Sequence, residues 1–238
     1  MTTERSDAKG REGTAVRSYS TKFEHDEDPI SEGGMWLNGK ADGNDWSDVV
    51  TKDGRCYGAV SRMATAEQRG EQGNLEAGAA PVGDYDDPTA VLTGDWGPNQ
   101  FVKATVFSRN QTDDYFQEVE IRLRSTITPH SCTGYEVFWR CSQTENAYNE
   151  IVRWDGTIGS WKSLTRRTGV GVGVKDGDVI EASIVGNVIS GYKNGELVIT
   201  AVDDTYSDGS PGVGFNFGVG DTNVDHGLTS FEAETFDA

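Results

Sequence analysis

Residues 178–217, DVIEASIVGNVISGYKNGELVITAVDDTYSDGSPGVGFNF, constrain the fold of this chain more than any other stretch. Ile180, Ala182 and Ile184 alternate with Glu181 and Ser183, a period of two that marks a strand with one wet face. Gly186-Asn187 and Asn194-Gly195 supply the positive-φ residues that two-residue hairpin loops require. Leu197, Ile199 and Ala201 repeat the alternation before a polar loop, DDTYSDGSPG. The stretch reads as an antiparallel meander.

The same pattern returns upstream. Phe101–Phe107 is apolar and β-branched. In Phe116–Arg124, Val119, Ile121 and Leu123 face one way, and Glu118, Glu120, Arg122 and Arg124 face the other. Tyr135–Arg140, Glu150–Trp154 and Ser160–Leu164 read as further strands, followed by a loop over Thr165–Lys175. Tyr19–Glu24 is expected to be a first strand beside a last one at Ser230–Phe236, with another over residues 54–60. Residues 61–98 read as an irregular insertion, and residues 1–18 as a polar extension that cannot bury enough apolar surface to order itself. No solenoid period, heptad or sustained helical pattern is present. One all-β domain over 19–238 accounts for the chain.

Two elements carry a family resemblance. Gly186–Gly195 fits G-N-x-I-x-x-Y-x-N-G, and Asp203–Phe215 fits D-x-T-Y-x-x-G-x-P-G-x-x-F. Both resemble the C-terminal half of the concanavalin A-like lectin/glucanase (laminin-G-like) domain. The likeness covers about residues 90–236 and extends to 20–60. It implies an antiparallel β-sandwich of the jelly-roll type. It implies little about activity, because this sandwich hosts lectins, glycosidases, lyases and adhesion modules.

Charge narrows the partners. With 39 acidic and 21 basic residues the chain carries a formal charge of −18, against nucleic acid or anionic membrane as a partner. No apolar run is long enough for a membrane span, so no membrane insertion is expected. No charged–apolar–small leader opens the sequence, so the protein is expected to be made in the cytoplasm, with a virion or extracellular destination after release. Of three cysteines, Cys132 and Cys141 flank a strand and are weighed as a disulfide pair, while Cys56 reads as a buried thiol.

The ladder Glu118, Glu120, Arg122, Arg124 is the strongest candidate for chemistry, with Glu136 and Arg140 on one face of the next strand. Its plain reading is a solvated, salt-bridged sheet face. Related glucanases carry a Glu-x-Asp-x-x-Glu strand; the resemblance places Glu118 and Glu120 at its first two carboxylates and Leu123 at the third. A retaining glycosidase needs two carboxyl groups about 5–5.5 Å apart. A lyase would use Arg122 and Arg124 to neutralise a uronate, with His130 or Tyr192 and Lys193 for proton transfer. Without catalysis, the ligand-binding set is Glu120, Arg122, Arg124, Glu136, Arg140, Trp96 and Trp161, the tryptophans offering platforms for sugars. Trp139 and Trp154 are expected in the core. Members of this fold often hold a calcium ion near the terminal strands, which makes Asp26, Asp28 and Asp237 the candidate ligands.

The expected function is a non-catalytic, lectin-like module for glycan or cell-surface polysaccharide attachment, serving as a structural or decorating component of a virion or similar assembly. Homo-oligomer or neighbour contacts would run through the N-terminal tail. The alternative is a glycoside hydrolase or polysaccharide lyase acting on the Glu118–Arg124 face.

Overall fold

The computed structural model describes residues 15–39, 46–59, 87–217 and 223–237. The strands of the N-terminal part are β1 (Ala15–Thr21), β2 (Trp36–Asn38), β3 (Val49–Lys52), β4 (Arg55–Gly58) and β5 (Thr89–Leu92). The middle holds β6 (Gln100–Ser108), β7 (Gln117–Thr128), β8 (Ser131–Arg140), β9 (Tyr148–Gly156) and β10 (Trp161–Thr168). The C-terminal part adds β11 (Val179–Val185), β12 (Val188–Lys193), β13 (Glu196–Val202), β14 (Ser210–Phe217) and β15 (His226–Phe236).

They form two antiparallel sheets. One runs β13-β12-β11-β6-β15-β4-β3, with β1 also paired to β15; the other runs β10-β9-β8-β7-β14-β5-β2. The expected meander is β11 to β13. Its first loop has positive φ at Gly186 alone and its second at both Asn194 and Gly195, so each hairpin has the backbone that its turn residues allow. The predicted pairing of first and last strands is β1 on β15, from Ala15↔Phe236 to Thr21↔Phe231.

The core lies between the sheets. Val119, Ile121 and Leu123 of β7, with Val137 and Trp139 of β8, meet Val102 and Ala104 of β6 and Ile180 and Ala182 of β11. Burying each large aliphatic side chain is worth about 1.5–3 kcal/mol. A one-residue slip of β7 would place Glu120 and Arg122 in that layer instead, so the apolar pattern excludes it.

Three expectations need correction, Cys56 is the buried thiol expected, and the pair weighed for Cys132 and Cys141 is not formed. Thr89–Leu92, inside the proposed insertion, is strand β5, buried at all four positions. Covered on both faces, it needs no polar alternation and shows none. β1 begins at Ala15, so the polar extension gives up its last residues to the sheet. β10 runs to Thr168, into the expected loop; it is an exposed edge strand whose polar side chains resemble a loop in sequence. All three cysteines are buried and free. Cys132 and Cys141 stand nine residues apart along an extended strand, roughly 30 Å, and belong to different apolar clusters on its two faces. A disulfide needs Cα atoms within about 7 Å.

Candidate functional site

The site is the outer face of the seven-stranded sheet, the face turned away from the core. Register builds it in rows. One row runs Asn216–Glu118–Arg140 across β14, β7 and β8. The next runs Gly214–Glu120–Phe138–Glu150–Arg166, reaching β10. A third runs Gly212–Arg122–Glu136–Val152, and Trp154 stands beside Trp161 at the end. On β7 and β8 the outward side chains alternate with core residues, Val119, Ile121 and Leu123 on the first and Val137 and Trp139 on the second. Asp87, just before β5, Phe116 and Tyr148 join the outward side chains of these rows in lining a cleft of about 400 Å³, with Arg122 buried beneath it.

The ladder is not solvated. Glu118, Glu120 and Arg122 are 4%, 2% and 0% exposed. A second apolar cluster, including Trp46, Phe138, Tyr148, Val152 and Trp154, packs on this face and dries it. Alternation tells which side a residue faces, not what covers that side.

Arg122 sits at the centre. Its Nη2 lies 2.9 Å from Glu136, 3.4 Å from Glu120 and 3.6 Å from Asp87, and its guanidinium lies 5.4 Å from the Trp154 ring. Trp154 Nε1 donates to the same Glu136 oxygen at 2.8 Å. Gly214 makes room: a Cβ there would lie 2.1 Å from Glu120 Oε2 and 3.2 Å from Arg122 Nε. A side chain at this point of β14 would collide with a pair that has nowhere to go.

One arginine cannot compensate three buried carboxylates. Burial pushes the Glu120 carboxyl well above its ordinary range, and Glu136 and Asp87 add to the shift. Burial raises Asp87 and Glu136 also, against the pull of Arg122. Glu118, buried and accepting a hydrogen bond from Tyr148 Oη, is pushed up to about 7. Glu150 pairs with Arg166 at 3.0 Å, and the Arg166 guanidinium stacks 3.8 Å from the Tyr148 ring centroid. The floor therefore holds acids whose burial keeps their protons beyond the ordinary carboxylate range. The groups that stand out are Trp161, Phe116 and Arg166; Trp161 is 40% and Phe116 37% exposed.

Of the residues singled out in the sequence, Glu118, Glu120, Glu136, Arg140 and Trp161 come together in this cleft, with Arg122 buried under its floor against Glu136. Arg124 does not. β7 bulges between Leu123 and Thr126, Arg124 takes a positive φ of 45°, and its guanidinium donates to the carbonyls of Pro98, Tyr206 and Gly186. It pins loops rather than extending the ladder. Trp96 is buried, donates to Thr93 O and carries the Arg17 guanidinium at 4.3 Å, away from the cleft. Trp154 lines the cleft instead of joining the inter-sheet core. β7 is regular through Leu123, which points into the core, so the third position of its outer face belongs to Arg122. Asp26, Asp28 and Asp237 are exposed, and no group of three acids, histidines or cysteines suited to a metal ion occurs among the described residues. Sequence reasoning missed Asp87, Tyr148, Glu150 and Arg166.

This is a concanavalin A-like sandwich with a cleft on the outer face of one sheet. No protein-family model and no curated protein sequence matches the chain. Solved structures match its shape. LamAcat from Zobellia galactanivorans superposes with a TM-score of 0.52 at 11% identity, over 93% of this chain and 98% of that one. A prokaryotic β-1,3-1,4-glucanase (lichenase) from a mouse hindgut metagenome gives 0.52 at 13%, over 92% and 99%. The carbohydrate binding module CBM66 from Bacillus subtilis gives 0.50 at 10%, over 88% and 97%. At these identities the likeness is one of fold.

Proposed function

We propose that this chain is a non-catalytic glycan-attachment module that holds its ligand in the outer-face cleft. The observation that carries this reading is the division of labour there: Trp161 and Phe116 project as apolar platforms over a floor of hydrogen-bonding carboxyls. Flat aromatic faces suit the C–H faces of sugar rings, and paired carboxyls suit hydroxyls. Glucanases and a carbohydrate-binding module on the same fold support the ligand class by analogy. Against catalysis, Glu118, Glu120, Glu136 and Glu150 are each buried and engaged with Tyr148, Arg122 or Arg166, and an arginine fills the third position of the ladder.

Titration calorimetry on hits from a glycan array tests the proposal. Trp161→Ala is expected to weaken binding about tenfold, the worth of one stacking platform, with the fold intact by circular dichroism. Unchanged affinity would place the ligand elsewhere. A decorating role in a virion or similar assembly fits such a module; a full chain that stays monomeric by light scattering at high concentration counts against it.

One feature favours a hydrolase as the second reading. Glu118, raised to about 7, stands two residues from Glu120 on one face, a protonated acid beside a second carboxyl. Reducing sugar released from the bound polysaccharide, and lost in Glu118→Gln while binding persists, would establish it.

A further inference from the structure

The charges of the cleft say what kind of glycan it takes, an inference that rests on the reading just given. Two arginines line it and a third, Arg122, lies buried beneath its floor; each already faces a carboxylate. Arg122 is shared among Glu136, Glu120 and Asp87. Arg166 pairs with Glu150. Arg140 lies 3.8 Å from Asp113 and donates to the carbonyls of Tyr115 and Asn146. Asp113 is itself held by Thr144 Oγ1 at 2.5 Å and Asn146 Nδ2 at 2.8 Å. Among the described residues no lysine or histidine lines the cleft.

An incoming uronate or sulfate would have to share an arginine with the acid it already holds and lie among the other carboxyls of the cleft. That sharing adds like-charge repulsion where burial leaves little water to screen it. An uncharged sugar displaces none of these pairs. Its hydroxyls can donate to carboxylate lone pairs, accept from protonated carboxyls and lay a ring on Trp161. Burial, which keeps Glu118 and Glu120 protonated beyond the ordinary carboxylate range, adds donors without adding charge.

We infer that the cleft is built for an uncharged polysaccharide segment and rejects acidic glycans. The experiment is a binding panel on the full chain: neutral polymers (a soluble β-glucan, mannan, xylan) and acidic ones (alginate, polygalacturonate). Each is measured at low and high salt, with native protein and with Trp161→Ala. The expected result is binding of at least one neutral polymer, insensitive to salt and weakened about tenfold by the substitution, with no cleft binding of the acidic polymers. Binding of an acidic polymer that weakens in Trp161→Ala overturns the inference while leaving the glycan cleft standing. No binding at all, or binding that the substitution leaves unchanged, overturns the cleft reading and the inference together.

Discussion

Glu118 shows how a single buried acid couples this site to stability. Its carboxyl titrates near 4.5 when free and is pushed up to about 7 in the fold, where burial outweighs the Tyr148 hydrogen bond. A folded pKa above the unfolded one means that the stabilising contribution is complete below about pH 4.5. It is lost as pH rises through about 7. The loss is on the order of 3 kcal/mol for a shift of this size. The melting temperature should therefore fall between pH 5 and pH 8, and Glu118→Gln should flatten that slope by carrying no proton to lose. An unchanged slope in the variant would assign the pH dependence to Asp87, Glu120 and Glu136 instead, whose carboxyls are raised by the same burial.

At the scale of elements, the loop between β13 and β14 is tied down by a polar clasp. Asp203 accepts from Tyr135 Oη at 2.8 Å and from Arg153 Nη1 at 2.9 Å, and Thr205 N donates to it at 2.9 Å. Arg153 also grips Asp155 with two nitrogens, and Tyr206 Oη reaches the same carboxylate. Burial alone would raise Asp203, yet these donors outweigh it and hold the carboxyl at about 2. Its contribution is thus present above about pH 4 and lost as pH falls through about 2. Asp203→Asn should lower stability at neutral pH by about 1–3 kcal/mol and remove part of the acid limb of a pH–denaturation curve. An acid limb identical to that of the native chain would show that the clasp holds nothing.

The short-range part of this clasp is what made the motif from Asp203 to Phe215 visible in the sequence, and the cleft so much less so. Thr205 N donates to Asp203 within the loop itself, and Asn194-Gly195 sets its own turn, so here local pattern and local structure coincide, although the anchors Tyr135 and Arg153 come from other strands. The cleft depends on cross-strand register. Arg122 meets Glu136 only because β7 and β8 pair antiparallel, and Glu150 meets Arg166 only because β10 continues as an edge strand. Asp87 arrives from a segment 35 residues upstream of Arg122. The period of two marked Glu118, Glu120 and Arg122 as facing away from the core. It carried no trace of Trp46 and its cluster drying that face.

For the molecule as a whole, the two ends of the chain close one sheet. β1 lies along β15 on the edge left open beyond β4, and it brings side chains that reach across. Tyr19 packs against Trp36 and Phe231, and Arg17 donates to Thr93 and Asp95 carbonyls while covering the Trp96 ring. Removing residues 1–21 would uncover these aromatics and leave the Phe231–Phe236 segment of β15 as an unpaired apolar edge. Each lost backbone hydrogen bond is worth about 0.5–1.5 kcal/mol net, so the ladder and its side chains together represent several kcal/mol. An open edge is also a template for another chain. The truncated protein should melt at a lower temperature and show larger, concentration-dependent species by light scattering, where the full chain shows one mass. Unchanged mass and melting temperature would mean that β1 decorates a sheet already closed by β15 and β6, and that the N-terminal strand serves a partner rather than its own sandwich.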